Sequence, residues 1–258
     1  MTTTQFLTTA WKWNPGLLLL CVLALAGYFL VFGRRGRPIY FGAALSVTLL
    51  ALISPLSELA DGYLFSAHMV QHILVVLIVP ALLLLSLPHS VSIPRPLAPF
   101  NYPLIGWIAG VGAMWVWHAP ALCNAATTLR AVSAIQTISL LLMGSVFWWQ
   151  VIAPREEERL SPPAGIVYLF TACIACTVLG IILTFAPVSI CPAYQQPVDR
   201  LGILDALRSQ WGLTSERDQQ IGGLLMWVPM CLIYVAAILA QLARWQSESE
   251  PRPEKSHA

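Results

Sequence analysis

GYLFSAHMVQHILVVLIVPALLLLSLP, residues Gly62 to Pro88, contains no charged side chain. At a rise of about 1.5 Å per residue this run is long enough to cross a hydrocarbon core about 30 Å thick, and it reads as a transmembrane helix. Its unbroken apolar stretches lack the alternation of a lipid-facing barrel strand. Six more windows are free of charge: Leu17 to Gly33, Pro38 to Ser54, Pro103 to Ala119, Ala131 to Ala153, Pro163 to Pro187 and Gln219 to Ala243. Every Asp, Glu, Lys and Arg lies between or beyond these windows.

The composition points the same way. Of 258 residues, 57% are hydrophobic and 10% charged, where a soluble domain carries about 25% charge. A water-soluble globule of this kind could not cover itself with polar surface. The sequence therefore predicts an all-α polytopic membrane protein, a seven-transmembrane-helix bundle. Residues 1–246 form one membrane domain with an outer loop at 188–218, and 247–258 form a polar, disordered cytoplasmic tail. The segment Met1 to Asn14 carries only Lys12 and no clear A-x-A cleavage site precedes Gly33, so the first window is expected to be a retained span and not a cleaved signal peptide.

Orientation follows from the positive charges flanking the windows. Arg34, Arg35, Arg37, Arg95, Arg155, Arg159, Arg244, Arg252 and Lys255 share one side, and Lys12, Arg130, Arg200, Arg208 and Arg217 the other. The richer side is expected in the cytoplasm, with the N-terminus outside. In the outer loop, Leu201, Leu204, Leu207 and Trp211 recur at helical spacing, which suggests a short surface helix, either an amphipathic anchor or a lid. A net charge of +2 and the lack of a basic run argue against a nucleic-acid partner. The lipid bilayer is the main surrounding.

Three of the five histidines fall at membrane depth, where polar side chains are costly and mark functional sites. His68 and His72 are four apart in the third window and stack on one helical face. His118 ends the fourth. Because these spans run in opposite directions, all three reach the outer half of the membrane, an arrangement suited to a metal. Each could also simply satisfy a carbonyl in a neighbouring helix. His89 and His257 lie outside the spans and read as ordinary.

Soft donors occur at similar depth. Met114 is one turn before His118, Met69 adjoins His68 on a different face, and Met226 and Met230 are four apart in the last span. Imidazole with thioether or thiolate favours copper, whereas imidazole with water also suits zinc. Cys191 lies in the outer loop within reach of the histidines and is a further candidate ligand. Cys173 and Cys176 read as small packing residues in mid-span, and Cys21, Cys123 and Cys231 show no informative spacing.

The stretch L-F-S-A-H-M-V-Q-H-I-L-V-V-L at Leu64 to Leu77 resembles the signature of the polytopic CtaG-type cytochrome c oxidase assembly factors. W-H-A-P-A-L-C-N-A-A at Trp117 to Ala126 and D-Q-Q-I-G-G-L-L-M-W-V-P at Asp218 to Pro229 are similar to two more stretches of that family. Two positions depart from it: Cys123 stands where the family tends to have tyrosine, and Cys191 where an aromatic residue before P-A-Y is common. The resemblance implies a seven-span protein of the bacterial cytoplasmic membrane that assists maturation of a haem-copper oxidase. Its implied partners are the oxidase subunits that carry copper centres and a copper chaperone, and it adds Asp218 and Gln219 as candidate further ligands or supports.

No Ser/His/Asp set, phosphate-binding glycine loop or intramembrane carboxylate pair suggests catalysis, so the chain is not expected to be an enzyme. The alternatives are a haem protein ligated by His72 and His118, a copper transporter, and a metal-free scaffold for oxidase subunits.

Overall fold

The computed structural model describes residues 3–187 and 189–249, and 250–258 of the expected tail lie outside them. Among the described residues every regular element is a helix, and there is no strand. A short helix α1 (Thr3–Thr9) precedes α2 (Pro15–Phe32) and α3 (Pro38–Ile53). Next come α4 (Pro55–Ala60), then α5 (Phe65–Ile73) and α6 (Val79–Ser86), which a π turn at Leu74–Ile78 joins into one continuous helix. The remaining helices are α7 (Pro103–Trp117), α8 (Pro120–Thr128), α9 (Arg130–Ile152), α10 (Pro162–Phe185) and α11 (Ser215–Ser249).

Each of the seven charge-free windows holds a helix. Five helical segments are long and apolar enough to cross a membrane, and α7 with α8 makes a sixth if the pair, bent by 74°, is one span. The other window yields α3, which is apolar but only 16 residues long. Large apolar side chains point outward from these helices, among them Leu30, Ile39, Leu104 and Phe185, as expected where the surrounding medium is hydrocarbon. α11 continues to Ser249, past the expected start of the tail, and begins at Ser215, which shortens the outer loop.

Proline sets most boundaries. α2, α3, α4, α7, α8 and α10 have proline in their first turn, where its absent N–H costs nothing. Pro80 has the opposite effect inside a helix, because it leaves the Val76 carbonyl without its i+4 donor. The helix widens to a π turn there. Gly144 of α9 approaches so closely that a Cβ on it would collide with the Val76 carbonyl oxygen.

The two ends of the bundle are held by separate polar networks. At one end Arg37 donates to His89 Nε2 (2.8 Å) while His89 Nδ1 donates to the Pro154 carbonyl (3.0 Å), and Arg244 donates to the Leu160 carbonyl. At the other end Lys12 pairs with Glu58 and Asp61, and Arg208 bonds the carbonyls of Leu213 and Tyr194. Arg37 and Arg244, expected on one side, thus lie at one end, and Lys12 and Arg208, expected on the other, at the opposite end. The short helix of the long loop is a single turn from Leu204 to Gln210, capped by Asp199, which accepts from the Ile203 and Leu204 amides. Its Leu207 and the preceding Ile203 pack on Phe6, Ala10, Tyr63 and Leu64, so the element rests on protein.

Candidate metal centre

His68 and His72 project from α5 at the same end of the bundle as Lys12 and the long loop. Their ring centroids are 4.3 Å apart. His118 is delivered by the break between α7 and α8: Pro120 holds Ala119 extended (φ −60°, ψ 130°), so α7 stops at Trp117. The His118 ring then packs edge-on against His72, centroids 5.3 Å apart. The structure thus brings His68, His72 and His118 into one contiguous group, all at least nine-tenths buried.

Their hydrogen bonding is unequal. His118 Nδ1 donates to the Met114 carbonyl at 2.6 Å, which leaves Nε2 with the lone pair of a neutral ring, facing Met69 Sδ at 3.3 Å. His68 and His72 have no partner on any of their four ring nitrogens. Gln136 of α9 lies beside His72, yet its Nε2 has no partner in hydrogen-bond geometry. A buried polar group without a partner costs about 1–3 kcal/mol, and here several lie together. No three histidine, cysteine or acidic side chains among the described residues are placed around one ion position.

The other candidates fall in different roles. Met114 is buried and serves His118 through its carbonyl, whereas Met69, which shares a face with His72 at i, i+3 spacing, supplies the sulfur. Met226 is fully buried on α11. Asp218 spends its carboxylate elsewhere: it accepts from the amides of Phe65 (2.7 Å) and Ser66 (3.1 Å) and from the Ser66 hydroxyl (2.6 Å). Leu64 provides no side-chain cap to α5, and Asp218 caps this histidine helix from α11. Gln219 accepts from the Ile190 amide and donates to the Ala186 carbonyl, fixing the start of the long loop. A cleft of about 460 Å³ opens beside it, lined by Thr184, Ala186, Gln195 and Glu216 among others, with no histidine in its wall.

Cys191 is joined to Cys123 in a disulfide, Cα atoms 5.7 Å apart. A ligand role needs a free thiolate, so the structure replaces that expectation for Cys191 with a covalent tie. The two departures from the family's sequence pattern are the two halves of one bond. It connects α8, just after His118, to the segment carrying Tyr194, whose ring packs 5.9 Å from His68 and 5.8 Å from Phe65. The Tyr194 hydroxyl donates to the Ala60 carbonyl. Burial, with Asp61 and Asp218 nearby, pushes its phenol well above the ordinary value, so it stays a neutral donor and roof over His68.

A similar protein is an uncharacterised protein of Mycobacterium leprae (strain TN), 23% identical over 206 residues; the match covers 70% of this chain but 30% of that one. No solved structure matches. The model of the cytochrome c oxidase caa3 assembly factor family matches residues 19–248, nearly the whole chain including all three histidines, and the chain belongs to that family.

Proposed function

We propose that this protein handles copper at the group formed by His68, His72 and His118 and assists the maturation of a copper centre in a caa3-type oxidase of a bacterial cytoplasmic membrane. Copper is cargo in this reading, received and passed on to an oxidase subunit with or without a separate copper chaperone. The observation that carries it is the set of four partnerless ring nitrogens on His68 and His72, since buried imidazoles without protein partners are suited to a cation. Rings in direct contact at 4.3 and 5.3 Å suit an ion better than a flat haem between His72 and His118.

The proposed topology is seven spans, α3 included, with the histidine end outside. The Cys123–Cys191 disulfide supports it, because disulfides persist in oxidising compartments outside the cytoplasm. The segregation of Arg37, Arg155, Arg159 and Arg244 from that end supports it as well.

Replacing His72 and His118 together by alanine tests the function in cells. The variant is expected to insert normally, since alanine suits apolar helices, and to lower oxidase activity under low copper, with partial rescue by added copper through mass action. Normal oxidase activity at low copper would favour a metal-free scaffold.

A further inference from the structure

We propose that Met69 and His118 form a paired nitrogen and sulfur donor set, and that the cargo taken is the monovalent Cu(I) in preference to Cu(II) or Zn(II). This rests on the copper reading above and specifies the ion. The Met114 carbonyl can only accept, so its contact with His118 Nδ1 fixes the proton on that nitrogen. The Nε2 lone pair of the neutral ring then faces Met69 Sδ across 3.3 Å. A thioether carries no hydrogen, so these two acceptors share none between them. Protonating Nε2 would create a donor to sulfur, but at the cost of an imidazolium buried without a counter-charge. A cation reconciles both lone pairs.

The nature of the cation follows from the surrounding charges. The Asp218 carboxylate is committed to the amides and hydroxyl that start α5, and Cys191 is in a disulfide. The donors left are neutral imidazoles and a thioether. A dication among neutral ligands at membrane depth would bury two uncompensated charges; Cu(I) buries one, and thioether sulfur is a soft donor that favours it. Zinc takes thiolate, carboxylate or imidazole and makes no use of a thioether, so the Met69 sulfur adds nothing to a zinc site.

The test uses the full-length protein in detergent under anaerobic conditions, as wild type, Met69→Leu and a control, Met143→Leu, at a methionine of α9 that makes no contact with His118 Nε2. Cu(I) affinity is measured by competition with a chromophoric chelator, Zn(II) and Cu(II) affinities in parallel, and the ligand shell by X-ray absorption. Wild type is expected to hold Cu(I) more tightly than either dication and to show a sulfur scatterer. Met69→Leu is expected to weaken Cu(I) by about tenfold or more, the loss typical of disturbing a metal's ligand environment, and to lose the sulfur signal, while Met143→Leu does neither. Unchanged Cu(I) affinity and sulfur scattering in Met69→Leu, or a wild type preferring Zn(II), would overturn the assignment and leave a histidine metal site standing. Wild-type protein that binds none of the three ions would overturn the copper reading and this inference together.

Discussion

Replacing Asp218 by alanine removes the acceptor for the first two amides of the helix that carries His68 and His72. In the structure its two oxygens serve the Phe65 amide, the Ser66 amide and the Ser66 hydroxyl. The hydroxyl can rotate toward another acceptor, but the two backbone donors are fixed by the chain. At about 1–3 kcal/mol for each buried donor left unpaired, the variant is expected to lose about 2–6 kcal/mol. For a chain of this size each kcal/mol shifts the unfolding midpoint by about 2–4 °C, so a loss near 3 kcal/mol lowers Tm by about 6–12 °C. Thermal unfolding in detergent, followed by circular dichroism, reads the shift. Hydrogen exchange of a peptide spanning residues 64–73 reads its location, since the His68 amide bonds the Leu64 carbonyl in the turn that would fray. Asp218→Asn keeps one acceptor oxygen and should fall between the two. A Tm within about 2 °C of wild type, with unchanged exchange in that peptide, would refute the capping role.

Other consequences can be checked separately. Alkylation without prior reduction should leave Cys123 and Cys191 unlabelled, and Cys123→Ser is expected to destabilise the fold by about 2–4 kcal/mol; labelling of both in unreduced protein would contradict the bond. Gly144→Ala drives a Cβ into the Val76 carbonyl, a backbone atom that cannot step aside, and is expected to cost at least about 1–3 kcal/mol as overpacking, seen as a lower Tm. The thiols of Cys173 and Cys231 lie 2.8 Å apart between α10 and α11. After cleavage at a protease site introduced at Gly202, an oxidant should therefore link the two fragments through Cys231, and Cys173→Ser should prevent it. Single cysteines placed at Arg35 and Arg200 should label from opposite sides of the membrane, and labelling of both from the same side would overturn the topology.

What the sequence disclosed is what lipid imposes locally. A span must exclude charge over its whole length, so all seven windows are legible as helices, and i, i+4 spacing was enough to stack His68 on His72. Proximity of His118 followed from antiparallel spans. Features set by long-range contact were not legible. Cys123 and Cys191 are 68 residues apart, and no spacing rule selects that pair from six cysteines. Asp218 lies more than 150 residues from the helix it caps, so its motif leaves ligand and support equally open, and only the fold shows its carboxylate bonded to backbone amides. Met69 adjoins His68 in sequence but lies on a different face, and its i, i+3 relation to His72 is the signal for the side on which its sulfur falls. The long loop's apolar spacing was real, but its partner is α1 and the α4–α5 turn, which amphipathicity alone cannot distinguish from a bilayer surface. The bend after Trp117 was encoded by Pro120, yet its consequence, a histidine turned onto Met69, depends on packing.

Copper handling by the histidine group is tested most directly by metal content. Full-length protein from cells grown with added copper would be purified in detergent and analysed for bound metals beside a His68→Ala, His72→Ala double variant of matched helicity. The expected result is copper bound to the wild type in stoichiometric amount and lost from the variant, with zinc and iron low in both. Equal copper in the two proteins, or wild type free of copper while fully folded, would contradict a copper site at these residues.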